Sequence, residues 1–230
     1  MRVLLSLLAI LTFTTANAQK QGDTLKRIAD TGEIRIGFVP DAPPLSFHDE
    51  DDTVTGYSID LCRRIASAAR DAAGIEKIKI LFVPLVTMEE RISAIEDGEI
   101  DIECGTTTVT LGRRERVDFT LMTFITGSAV LSRRSSPLNG VDDFDGVEIA
   151  VLEGTTTEDV MRKVIDINGF DIDLKLVDSH DEGMALLNEE DVDGYASDRA
   201  MLIGQVFRNA DANNQYTMTR TALSFEPYAF

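Results

Sequence analysis

The feature that most constrains this chain is a regular alternation of short apolar runs with amphipathic stretches. In the first half, residues 33–38 alternate through Ile34, Ile36 and Phe38, residues 77–85 form a second apolar run, and residues 100–104 a third. Between them lie a long amphipathic stretch, 56–73, and a shorter one, 87–97, with Ile92 and Ile95 on one face. The spacing predicts strand–helix–strand–helix–strand, preceded by a short helix over 24–31. That order gives a parallel sheet with both faces covered, whose ligands sit beyond the carboxyl ends of the strands. The apolar run 124–132 is long enough to leave one lobe and enter another. The alternation then resumes, with strands expected at 147–152, 173–177, 192–197 and 216–221 and helices at 157–167, 181–188 and 199–208.

The third strand ends in a distinctive turn. After Glu103 and Cys104 come Gly105, Thr106, Thr107 and Thr108, and Arg113 follows five residues later. Free backbone N–H groups at a helix start attract a carboxylate, hydroxyls add neutral donors, and a guanidinium can clasp a carboxylate with two parallel bonds. Nearly the same device recurs at Gly154, Thr155, Thr156 and Thr157. Either turn alone reads as an ordinary helix cap. The pair, with the arginine, points to two walls of one anion-binding cleft.

The N-terminus has the form of a secretory leader. Met1-Arg2 is a basic start, Val3 to Phe13 is nearly all apolar, and Ala16-Asn17-Ala18 is a small-x-small cleavage signal. Residues 1–18 are therefore expected to be removed, and the run is too short to span a membrane. Export to the periplasm follows as an expectation. A formal net charge of −18 argues against nucleic acid and against an anionic membrane surface as partners. It also repels an anionic ligand at long range, but salt screens that beyond roughly 8–10 Å, so a local arginine can prevail. Export permits a disulfide. Cys62 lies on the apolar side of a helix and Cys104 ends a buried strand, and the sequence leaves open whether they pair. Neither has metal-ligand spacing, and no metal or cofactor is expected.

From about Leu25 onward the chain resembles the periplasmic amino-acid-binding proteins of ABC transporters, particularly their glutamate/aspartate-binding branch. The carrying segments are Gly37 with Pro44 to Phe47, Gly56 to Asp60, Arg91-Ile92, Glu103 to Thr108, Arg113 with Val117 to Thr120, Gly154 to Thr156, His180, and Ala196 to Asp198. The resemblance implies a two-lobed α/β fold of the type II periplasmic-binding-protein kind. Lobe 1 would span 19–123 and lobe 2 124–223, with 224–230 beginning a return crossing to lobe 1. Since further elements of the family's first lobe do not follow, that lobe is expected to be truncated. The partners implied are a free amino acid and a membrane permease, with the binding protein itself monomeric.

The resemblance also assigns roles. The ligand α-carboxylate would meet Arg113, Thr106, Thr108, Thr155 and Thr156, and the α-ammonium would meet Asp198. Arg91 would reach a side-chain carboxylate, with His180 near the same end and Tyr57 walling the aliphatic part. Two departures weaken an acidic ligand. Val39 stands where that branch carries another arginine, and Met88 where a serine is expected. Glutamine or asparagine therefore stays open beside glutamate and aspartate. An enzyme of cyclohexadienyl dehydratase type on the same fold is a further alternative. Glu103, Glu153, His180 and Asp181 would be its candidate acids and bases.

Overall fold

The computed structural model describes residues 17–208 and 215–230. The expected leader lies, but for its last two residues, outside the described residues. Among the latter, no helix is long and apolar enough to cross a membrane.

The first lobe is built on three parallel strands. Helix α1 (Asn17–Thr31) leads into β1 (Glu33–Phe38), the sheet's central strand. A small antiparallel meander follows, made of β2 (Asp41–Ala42), β3 (Ser46–His48) and β4 (Val54–Thr55). Next come α2 (Tyr57–Ala72), β5 (Lys79–Pro84), α3 (Met88–Glu96) and β6 (Ile102–Glu103), giving the sheet order β5-β1-β6. Thr87 caps α3 in a full capping box with Glu90, which fixes where that helix starts. The third strand is shorter than the sequence suggests, because only Ile36↔Ile102 and Gly37↔Glu103 pair in register. The backbone still tracks β1 on either side, with Asp101 N donating to Arg35 O and Cys104 N to Gly37 O. The core of this lobe gathers Ile34, Ile36, Phe38, Ile59, Cys62 and Cys104. The two cysteines form a disulfide, with Cα atoms 6.3 Å apart, and so tie α2 to the end of β6 just before the first threonine turn.

The second lobe is a five-stranded mixed sheet. After α4 (Leu111–Arg114) and β7 (Phe124–Thr126), the chain enters it through β8 (Ser128–Arg133). The apolar run 124–132 is thus two strands. They part at Gly127, where a Cβ would collide with the Ser224 carbonyl oxygen of the returning chain. A short 3₁₀ turn (Val141–Asp143) precedes β9 (Glu148–Leu152), α5 (Thr156–Asn168), β10 (Asp173–Val177), α6 (His180–Asn188), β11 (Gly194–Asp198), α7 (Arg199–Arg208) and β12 (Tyr216–Met218). The sheet order is β10-β9-β11-β8-β12, with β10, β9 and β11 parallel and β8 antiparallel to both its neighbours. Apolar residues cover both faces. Tyr195, Leu187 and Leu202 lie on one side, and Phe144, Ile149 and Met161 on the other.

Two antiparallel strands join the lobes. β13 (Glu226–Tyr228) returns beside β7, pairing Glu226↔Thr126 and Tyr228↔Phe124. Beyond it, Phe230 enters the first-lobe core, and its backbone is held by Thr120 N–H and the Thr120 hydroxyl. A further apolar cluster bridges the two lobes, with Val39, Ala42 and Leu45 on one side and Met201 on the other, and Tyr228 between.

Candidate functional site

The carboxyl ends of both sheets face each other across the β7/β13 ribbon. The first threonine turn, Thr106 to Thr108, is buried in this interface. Its backbone is extended, and Thr108 bridges to Tyr228 of β13. The helix expected directly after it begins only at Leu111, where Thr110 accepts the Arg113 N–H at 3.1 Å. The first turn therefore presents hydroxyls and extended backbone in place of a helix end. The second turn is a true helix start. Gly154 adopts the left-handed conformation (φ 71°), Thr155 caps α5 by accepting from Glu158 N–H, and Thr156 is the first helical residue.

Arg113 joins the two turns. Its guanidinium donates to the Thr108 carbonyl at 2.8 Å and, across the interface, to the Gly154 carbonyl at 3.4 Å. Burial opposes its charge, as does the neighbouring Arg91 guanidinium, while Glu226 and Glu103 favour it. Arg91 is almost wholly buried. It donates to the Val86 carbonyl at 2.9 Å and lies 3.5 Å from the Thr106 hydroxyl. Its Nε atom has no hydrogen-bond partner, nor does Oε1 of the neighbouring buried Glu103. Burial drives the Glu103 carboxyl toward its neutral form, and Arg91 opposes that.

Asp198 closes the second-lobe side. It ends β11, and its carboxylate accepts from the Tyr228 hydroxyl and, at 3.5 Å, from the Ser128 hydroxyl. Desolvation pushes its carboxyl up to about 7, with Glu226 adding to the rise and Tyr228, Ser128 and Arg113 opposing it. Arg113 and Asp198 therefore bracket the interface from opposite lobes, one a guanidinium and the other a carboxyl.

His180 begins α6, where its backbone N–H donates to first-lobe Asp41 at 2.7 Å. Its ring is buried against Tyr195, with Nδ1 2.6 Å from the Tyr195 hydroxyl, and burial holds its pKa down. Tyr57 is 44% exposed, donates to the Thr123 carbonyl and lies against Phe124 at the hinge. Val39 and Met88 are both buried, and Met88 lies opposite Gly154. Thr156 does not present a free hydroxyl, because it donates to Glu226 at 2.7 Å. Among the alternative acids and bases, Glu153 and Asp181 are exposed, and Asp181 pairs with Arg208.

Sequence reasoning missed Asp41, Glu226 and Tyr228. The first sits between prolines and the others in the returning segment, where a short chain stretch carries no period that would flag a site. An open trough of about 1440 Å³ runs between α1, α3 and β6 in the first lobe, and Arg91, Glu103 and Thr107 line part of it.

The profile of the bacterial extracellular solute-binding proteins, family 3, matches residues 34–214. The chain belongs to that family. Within family 3, it is 29% identical over 206 residues to an L-glutamate/L-aspartate-binding protein of Pseudomonas aeruginosa, covering 89% of this chain and 68% of that protein. It is 27% identical over 215 residues to a glutamine-binding protein of Bacillus subtilis, covering 93% and 74%. Among solved structures it matches an ancestral arginine-binding protein bound to arginine, with TM-score 0.75 and 28% identity, covering 86% of this chain and 83% of that one. The chain spans 62% of the length of the glutamate/aspartate import proteins of Salmonella typhimurium and Escherichia coli. These relatives agree on amino acids as ligands and differ on the side chain. The match to the solved structure shows that this chain has the type II two-lobed fold.

Proposed function

We propose that this chain is a binding protein and not an enzyme, capturing one free L-amino acid between its lobes and presenting it to an ABC permease. The observation that carries this reading is the placement of Arg113 and Asp198 on opposite lobes, bracketing one interface. A guanidinium and a carboxylate so arranged suit the two ends of a zwitterion. Thr106, Thr108 and the backbone N–H groups of the Thr155–Thr156 turn would add donors at the carboxylate end. Binding that needs both lobes favours the closed arrangement over the open one, and the closed form is what a permease would read.

For the side chain we favour glutamate or aspartate. Arg91 supports this, since its buried guanidinium has an unpartnered Nε beside Thr106. An amide ligand is the second reading, favoured by the buried apolar Val39 and Met88. Calorimetry with L-glutamate, L-aspartate, L-glutamine, L-asparagine and L-arginine tests the proposal. Binding of one or more of them, lost in Arg113→Ala, is the expected result. An Arg113→Ala protein that binds as tightly as wild type would end it.

A further inference from the structure

One polar network in the interface is not accounted for by the grip on a zwitterion. It starts at Asp198, whose Oδ1 accepts from Ser128. The Ser128 hydroxyl is hydrogen-bonded to the Ser224 hydroxyl at 2.8 Å and to Thr157 at 2.9 Å. Ser224 donates to one oxygen of Glu226, and Thr156 donates to the other. The path joins two carboxylates on different elements, β11 and β13, through three contacts, Asp198–Ser128, Ser128–Ser224 and Ser224–Glu226, which two hydroxyl protons cannot all fill, so the third is filled only when a carboxyl carries a proton. Ser128 and Glu226 are buried, with 0% and 3% of their surface exposed. Two nearby carboxylates in a poorly solvated place do not readily carry two charges at once.

We propose that Asp198 and Glu226 act as one unit. Joined to it through the Ser128 and Ser224 hydroxyls, Glu226 helps Asp198 hold a proton in the unliganded protein, and the ligand's ammonium displaces that proton to solvent. Glu226 is then a positioning residue for recognition of the cation, acting through Asp198. This rests on the reading of Asp198 as the ammonium partner.

The charged surroundings set the direction of the effects. Tyr228 of β13 donates to Asp198, and Arg113 of α4 favours its ionised form. Glu226 opposes that form. Arg91 of α3 lies near Tyr228, and Asp159 of α5 near Arg113. Arg199, first in α7, turns its guanidinium away onto the Thr219 carbonyl. Removing the charge of Glu226 therefore makes Asp198 easier to ionise. Removing the Ser128 hydroxyl makes it harder.

The test follows side-chain carboxyl carbons by NMR through a pH titration of the unliganded protein. Glu226→Gln should move the Asp198 midpoint down by about one pH unit, a tenfold change in proton affinity. Ser128→Ala should move it up. Opposite signs cannot arise from a general loss of folding. A midpoint that stays put in both variants, or moves the same way in both, overturns the proposal. Calorimetry of L-glutamate and L-glutamine near pH 7, in two buffers of different ionisation enthalpy, adds the ligand. Wild type should release roughly half a proton per ligand bound, and Glu226→Gln less. Binding with no proton release overturns the displacement. If neither amino acid binds, the amino-acid reading fails, and the carboxyl titration still decides whether the two acids act together.

Discussion

Asp41 of the first lobe caps a helix of the second. One carboxylate oxygen accepts the His180 N–H at 2.7 Å and the Asp181 N–H at 3.2 Å, the first two amides of α6. An anion at a helix start is favoured by both the free donors and the dipole. Here the anion and the helix belong to different lobes, so the contact exists only when they meet. Asp41→Ala should therefore weaken amino-acid binding by about 10–100-fold, the loss of one to two charge-assisted bonds. Calorimetry gives the affinity, and small-angle scattering should show the unliganded variant more extended than wild type.

Gly204 supports the same closure by being small. It lies in α7, and a Cβ there would collide with the Pro43 carbonyl of the first lobe. Beside it, Gln205 donates to the Asp41 carbonyl at 2.6 Å. Gly204→Ala should leave the fold of the second lobe intact, since alanine suits a helix. It should hold the lobes apart and weaken every amino acid alike. A variant that discriminates between ligands would mean that the helix touches the side chain.

Arg91 decides between the two proposed side-chain classes. Arg91→Lys keeps a positive charge but loses the planar fork. If the ligand is acidic, Arg91→Lys should bind L-glutamate about tenfold or more weaker, while L-glutamine changes much less. Equal losses for both would place Arg91 in the support of Val86 and Thr106, and competition binding reads the ratio directly.

Asp198 costs the unliganded protein stability at high pH. Its carboxyl is raised to about 7 in the folded chain from an ordinary value of 3.8. Between those values the folded state binds more protons than the unfolded one, so this group favours folding most below pH 4 and loses that contribution as pH rises through 7. His180 works in the opposite direction, since a buried ring held below 6.5 penalises the fold as pH falls through that value. Asp198→Asn should raise the melting temperature at pH 8 by at least about 2 °C and remove amino-acid binding. Thermal melts at pH 5 and pH 8 should show the gain shrinking at the lower pH.

The disulfide closes a sequence separation of 42 residues within the first lobe. Replacing both cysteines, as Cys62→Ala with Cys104→Ala, should destabilise the protein by about 2–4 kcal/mol in denaturant titration. The cysteines anchor the strand that leads into Thr106. Affinity should therefore fall along with stability, and reduction of the wild type should reproduce both effects.

Much of this was legible in the residues themselves. The strand–helix alternation located the sheets because a buried parallel strand and an amphipathic helix have different periods. The strand at residues 173–177 and the helix at 199–208 have the same bounds in the structure. Other features depended on tertiary contact. The break at Gly127 arises from the returning chain around Ser224, nearly a hundred residues away. The pairing of Cys62 with Cys104 required the distance between α2 and β6, which spacing alone does not give. Asp41 and Glu226 were invisible for the same reason. Each does its work on a partner in the other lobe or beyond the crossing, and nothing in its local sequence distinguishes it from a surface acid.

The β7/β13 ribbon would shape the proposed capture. One connecting strand would leave each lobe free to swivel about its own axis. Two strands locked side by side, Glu226 to Thr126 and Tyr228 to Phe124, bend readily in one direction and resist twisting. In the proposed capture the jaws would shut along a single track and bring Arg113 back to the Gly154 carbonyl.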